Sequence, residues 1–95
     1  MSKKITKSQR RKLIWKKTKG CCAHCGRKAS SFRQTIDHFI PKIYGGTYDY
    51  RNLMPLCYEC NNKRGCNLIN PYKFYKYAPE EAIRKCIEYK NELYF

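Results

Sequence analysis

No acidic residue occurs before Asp37, although twelve of the first 36 residues are Lys or Arg. A segment of uniform sign repels itself unless an anion lies beside it, so this absence points to a polyanionic partner, nucleic acid before membrane. No apolar run approaches the roughly 18 residues of a membrane span, and the basic start lacks the apolar stretch of a signal peptide. A soluble intracellular protein with no membrane partner is expected. Neither an internal repeat nor a low-complexity linker interrupts the 95 residues, which predicts one domain over 1–95. Apolar material is scarce too: nine Tyr and seven Cys inflate the 42 % hydrophobic share, and both carry groups that need partners. A chain of this length sits just above the range in which a single core supplies about 3–5 kcal/mol.

What is present answers both shortages. The 21 Lys and Arg against seven Asp and Glu leave a formal charge of +14. From Asp37 onward the count is nine basic to seven acidic, so the excess forms an N-terminal basic arm (1–20) on a nearly balanced body. Seven cysteines in so short a chain demand a staple. The odd count and the lack of a secretory signal favour metal over disulfide. Cys22-x-x-Cys25 and Cys57-x-x-Cys60 are separated by 31 residues. Each spacing lets one turn present two thiolates, and four thiolates close a tetrahedral shell at about 2.3 Å around one structural Zn²⁺. Cys21 could replace Cys22 at a longer spacing. Cys21 and Cys66 are otherwise unassigned, and His24, inside the first turn, is expected at the surface.

Coarse periodicity predicts a helix from Thr6 to Lys19, with Ser8 as N-cap, Gly20 as stop, and Leu13, Ile14 and Trp15 as its docking patch. Lys7, Arg10, Arg11, Lys12, Lys16, Lys17 and Lys19 would face phosphate. Alternation predicts a strand over Phe32–Asp37, a long irregular loop from His38 to Arg51 and a second strand over Leu53–Leu56. A two-turn helix from Tyr58 to Arg64 is closed by Gly65. The aromatic run Tyr72 to Tyr77 reads as core. Pro79 opens an amphipathic helix burying Ala82, Ile83, Cys86, Ile87 and Leu93. Zinc would tie the turn before the first strand to the helix after the second, fixing Asp37-His38 relative to Asn61-Asn62-Lys63.

Four stretches then occur in order: Cys22-Ala23-His24-Cys25-Gly26, Ile36-Asp37-His38-Phe39-Ile40-Pro41, Gly45-Gly46, and Asn52-Leu53-Met54-Pro55-Leu56-Cys57-Tyr58-Glu59-Cys60-Asn61-Asn62-Lys63. Together they resemble the HNH endonuclease family, in its four-cysteine zinc-stapled, His-Asn-Asn form. The resemblance runs from about Lys12 to Gly65. It implies a small α+β, ββα-metal core (21–66), flanked by the basic helix and by a C-terminal aromatic segment and helix (67–95). By the same resemblance, His38 is the general base, and Asp37 and Asn61, or Asn62 in its place, hold Mg²⁺ or Mn²⁺. Asn52 holds the loop after His38. The implied reaction is metal-dependent hydrolysis of double-stranded DNA, one strand per active site, by a monomer or homodimer.

Bottom-up chemistry agrees. An unperturbed His titrates at about 6.5 and can take a proton from water. A hard cation that retains water suits one carboxylate and one amide oxygen. Adjacent strand residues face opposite ways, so the chain is expected to leave strand geometry at His38 for Asp37 and His38 to share a site. Lys63 and Arg64, with Lys42 and Arg51, are further phosphate candidates. The rival reading is a non-catalytic zinc-dependent nucleic-acid-binding module, or a subunit beside protein partners in a phage or mobile-element DNA-processing machine.

Overall fold

The computed structural model describes residues 5–94. Lys3 and Lys4 of the basic arm lie outside the described residues. Helix α1 spans Lys7–Trp15, and Thr6 caps it in place of Ser8. Thr6 Oγ1 accepts the Gln9 N–H at 3.1 Å while Gln9 Oε1 accepts the Thr6 N–H at 2.8 Å. This reciprocal box needs Gln or Glu three residues after the cap; Ser8 is followed at that distance by Arg11. The α-helix stops at Trp15, and a 3-10 turn over Lys16–Thr18 carries the chain to Lys19 in the left-handed region. Ile14 and Trp15 are buried but Leu13 is 43 % exposed, so the docking patch is narrower than expected. Trp15 Nε1 donates to the Thr35 carbonyl at 2.9 Å, fastening α1 to the sheet.

Strand β1 is Gln34–His38 and pairs antiparallel with β2, Leu53–Cys57, with Asp37 opposite Met54 and His38 opposite Leu53. Its start lies two residues later than expected, because Ser31–Arg33 form a 3-10 turn that leaves Phe32 81 % exposed. His38 is the last residue of the strand, not the first of the loop. Pro55 sits inside β2, which a two-stranded sheet permits because each strand has a free edge; its carbonyl accepts the Ala23 N–H at 2.8 Å.

Helix α2 spans Tyr58–Arg64, α3 is the single turn Pro71–Phe74, and α4 runs Glu80–Leu93. Glu80 and Glu81 occupy the first turn of α4, where the helix dipole favours negative charge. This helix buries Ala82, Ile83, Cys86 and Tyr89 against Trp15, Phe39, Ile40, Met54 and Leu56, with Ile87 and Leu93 at the margin. Of the aromatic run only Tyr75 is fully buried; Tyr72 and Tyr77 are more than half exposed. The result is a small α+β fold with a two-stranded sheet at its centre.

Candidate functional site

Cys22 and Cys25 lie in a knuckle closed by Gly26 N–H to Cys22 C=O at 2.9 Å. Gly26 has φ +77°, and a Cβ there would come within 2.8 Å of the Tyr77 ring. Cys57 ends β2 and Cys60 stands in the first turn of α2. The Sγ atoms of Cys22, Cys25, Cys57 and Cys60 all lie within 4.8 Å of one another. A tetrahedron on bonds of about 2.3 Å has edges of about 3.8 Å, so the cluster fits a structural zinc ion. Burial, then the neighbouring sulfurs of Cys57 and Cys22, push the Cys60 thiol far above its usual range; a bound cation would favour its thiolate. Cys21 and Cys66 stay outside this cluster. His24 is not a free surface residue: its ring stacks on Phe74 at 4.1 Å and Nδ1 meets the Phe74 carbonyl at 2.7 Å.

His38 stands where two clefts meet. One, of about 360 Å³, is lined by Lys7, Arg10, Arg11, Thr35 and Tyr48; the other, of about 220 Å³, by Asp37, Lys42, Asn61, Gly65 and Cys66; His38 and Ile36 line both. The His38 ring packs edge-on against Tyr48 at 4.8 Å. Arg10 lies over the Tyr48 ring, and Lys42 donates to its hydroxyl at 2.5 Å. Burial, with Lys42, Arg64 and Arg10 behind it, lowers the His38 pKa below 6.5, which keeps the imidazole neutral at physiological pH. Nε2 of His38 is buried without a hydrogen-bond partner among the described residues.

Asp37 is 4 % exposed. Its Oδ2 accepts from Arg64 Nη1 and from Tyr75 Oη, the latter at 2.6 Å, whereas Oδ1 has no such partner among the described residues. Burial raises the Asp37 pKa, opposed by the Arg64 charge. Asn61 Nδ2 donates to Thr35 Oγ1 at 2.8 Å and more loosely to the Ile36 carbonyl at 3.4 Å, which leaves its amide oxygen without a hydrogen-bond partner among the described residues. Asn62 is exposed and does not line the cleft. The Asp37 carboxylate and the Asn61 amide oxygen, which line one cleft with His38, are oxygen donors that fit a hard divalent cation with its waters. Asn52 is fully buried. Its Oδ1 accepts the Ile40 N–H at 2.7 Å and its Nδ2 donates to the Ile40 and Thr47 carbonyls at 3.2 and 3.0 Å, binding both sides of the loop.

Three basic residues expected at phosphate are elsewhere. Arg64 is 3 % exposed and spends its guanidinium on Asp37, Tyr75 and the carbonyls of His38, Phe39 and Asn67. Lys17 donates to the Tyr50 and Leu53 carbonyls, each at 2.7 Å. Arg51 is held by Asp49, Glu88 and Glu92. Lys7, Arg10 and Arg11 do face the cleft, while Lys16 and Lys63 are exposed beyond it. Sequence reasoning missed Tyr48 beside His38 and placed Tyr75 in the core without its polar contact to Asp37, which no local signal marked.

Residues 22–66 match the model of the HNH endonuclease family. No curated protein matches the sequence. Among solved structures the chain is similar to the Type II-C Cas9 enzyme from Actinomyces naeslundii, with a TM-score of 0.65 and 15 % identity over 92 % of this chain. It spans only 13 % of that much longer chain, so the likeness is one of fold. The family match begins at the first zinc-cluster cysteine and ends two residues after Arg64, enclosing both clefts' central residues. Residues 22–66 thus match the HNH endonuclease domain, a nuclease-type family, and enclose a four-cysteine cluster that fits a metal ion.

Proposed function

We propose that this chain is a metal-dependent DNA endonuclease, cutting one phosphodiester strand per active site with His38 as general base. The observation that carries this is the position of the His38 imidazole, whose Nε2 has no hydrogen-bond partner among the described residues, between a basic cleft and a cleft of oxygen donors. Lys7, Arg10 and Arg11 hold the phosphate backbone, with Lys16 and Lys63 as outer contacts; such contacts set register without reading sequence. Asp37 and Asn61 hold a divalent cation, Mg²⁺ or Mn²⁺. When bound, that ion polarises the scissile phosphate and stabilises charge on the leaving oxygen. His38 takes the proton of the attacking water, Tyr48 limits the tilt of its ring, and Asn52 keeps the following loop from drifting. A monomer with one such centre nicks, and a duplex break needs a homodimer or two successive nicks.

Supercoiled plasmid incubated with zinc-loaded protein and Mg²⁺ or Mn²⁺ should be relaxed. His38→Ala should lower the nicking rate by about 10²–10⁴-fold, the range for loss of a general base, while still binding DNA. Affinity should fall with salt by about 0.9 log units per phosphate contact for each tenfold rise. Wild type that shifts the plasmid but relaxes none under any divalent ion would instead establish the rival reading, a zinc-dependent binding module or accessory subunit.

A further inference from the structure

The carboxylate assigned to the cation does not stand alone. Asp37 Oδ2, Arg64 Nη1 and Tyr75 Oη form a closed buried triangle: Tyr75 donates to Asp37 at 2.6 Å, and Arg64 donates to both, reaching Tyr75 at 3.1 Å. The three residues are 4, 3 and 0 % exposed. The same guanidinium binds the His38 carbonyl at 2.9 Å and the Phe39 carbonyl at 2.7 Å, the two backbone positions that follow Asp37. A carboxylate turns readily about its last torsion, so an unsupported Asp37 would leave the angle at which an oxygen meets the cleft unfixed. We propose that Tyr75 and Arg64 are positioning residues that take up Oδ2 and thereby present Oδ1 as the single open ligand atom. Tyr75 lies nine residues beyond the segment that matches the family, so the C-terminal segment becomes part of the site and not merely packing behind it. The inference rests on the reading of Asp37 as the cation's carboxylate.

The test is Mn²⁺ titration of the zinc-loaded full chain, followed by electron paramagnetic resonance, for wild type, Tyr75→Phe, Asp37→Asn and Ile83→Val. Tyr75→Phe removes only the hydroxyl and keeps the buried ring. Partners that orient metal ligands typically contribute 10–100-fold in affinity; Tyr75→Phe should weaken Mn²⁺ about tenfold and raise the half-saturating Mg²⁺ for nicking alike. The rate at saturating Mg²⁺ should stay within about twofold of wild type. Ile83→Val, a change in the same apolar core that removes none of the triangle's hydrogen bonds, should leave Mn²⁺ affinity unchanged. Equal Mn²⁺ affinity in Tyr75→Phe and wild type overturns the inference even if plasmid is cut, as does equal weakening by Ile83→Val. Mn²⁺ uptake that Asp37→Asn abolishes and Tyr75→Phe weakens, without any nicking, leaves the inference standing and removes the endonuclease reading. Absence of Asp37-dependent uptake removes both.

Discussion

Lys17 and Arg64 show how far a basic residue's neighbours in sequence can mislead. Both lie in runs that read as a phosphate-facing surface, yet both are turned inward to carbonyls. For Arg64 the signal was legible: Cys57, Cys60, Asn61 and Arg64 fall at helical i, i+3, i+4, i+7 positions, and a face that holds zinc must look at the sheet. Lys17 gave no such sign, because its side follows from where the 3-10 turn leaves α1. Burial lowers its pKa from 10.5 to about 8. Below about pH 8 both folded and unfolded chains carry the proton, and the cost of burying charge is felt in full. From about 8 to 10.5 the unfolded chain binds a proton that the folded chain has shed, so stability rises with pH across that window. Chemical denaturation of wild type should therefore gain on Lys17→Met between pH 8 and 10.5. Parallel profiles would show that Lys17 keeps its ordinary titration.

At the scale of elements, the loop between the strands is shaped by close approach of backbone. A Cβ on Gly46 would sit 1.6 Å from the Ile40 carbonyl oxygen and 3.1 Å from Asn52 Nδ2. Gly46→Ala must displace that carbonyl and so break the Asn52 contact that binds the loop. It should cost about 1–3 kcal/mol, the range for overpacking, and reduce nicking. Gly45, at φ +93°, faces open space. Gly45→Ala should cost about 1–2 kcal/mol of backbone strain but retain nicking, because no loop contact is lost. Urea midpoints and plasmid nicking of the two variants check the contrast; equal nicking would detach Gly46 from the loop's role. The existence of both strands and of α1, α2 and α4 was legible from alternation and punctuation, whereas the single turn α3 was not. The element ends were not, since the Thr6 box and the turn at Ser31–Arg33 depend on local hydrogen bonds that periodicity ignores.

For the molecule as a whole, the four-cysteine cluster joins the knuckle at 22–25 to β2 and α2, and through Ala23 to both Pro55 and Tyr77. Structural zinc contributes about 10–16 kcal/mol in small zinc-dependent peptides, comparable with the about 5–15 kcal/mol that holds a typical domain folded. Removing zinc with a strong chelator should abolish the cooperative thermal transition seen by circular dichroism, and re-addition should restore it. Elemental analysis should give one zinc per chain. A chelated protein that melts as before would show that the apolar core suffices.

The sequence by itself determined the paired Cys-x-x-Cys pattern and the one-sided charge, because both are matters of residue type along the chain, while the candidate cation and base residues came from the resemblance to the family. It also carried the shortage of core that makes a staple necessary. Only the tertiary structure decided which basic residues meet the cleft and which are consumed inside. That choice depends on the phase at which each helix docks on β1 and β2. Only the fold, too, brings Tyr75 from the distant C-terminal segment onto Asp37, a contact across 38 residues that no local pattern encodes.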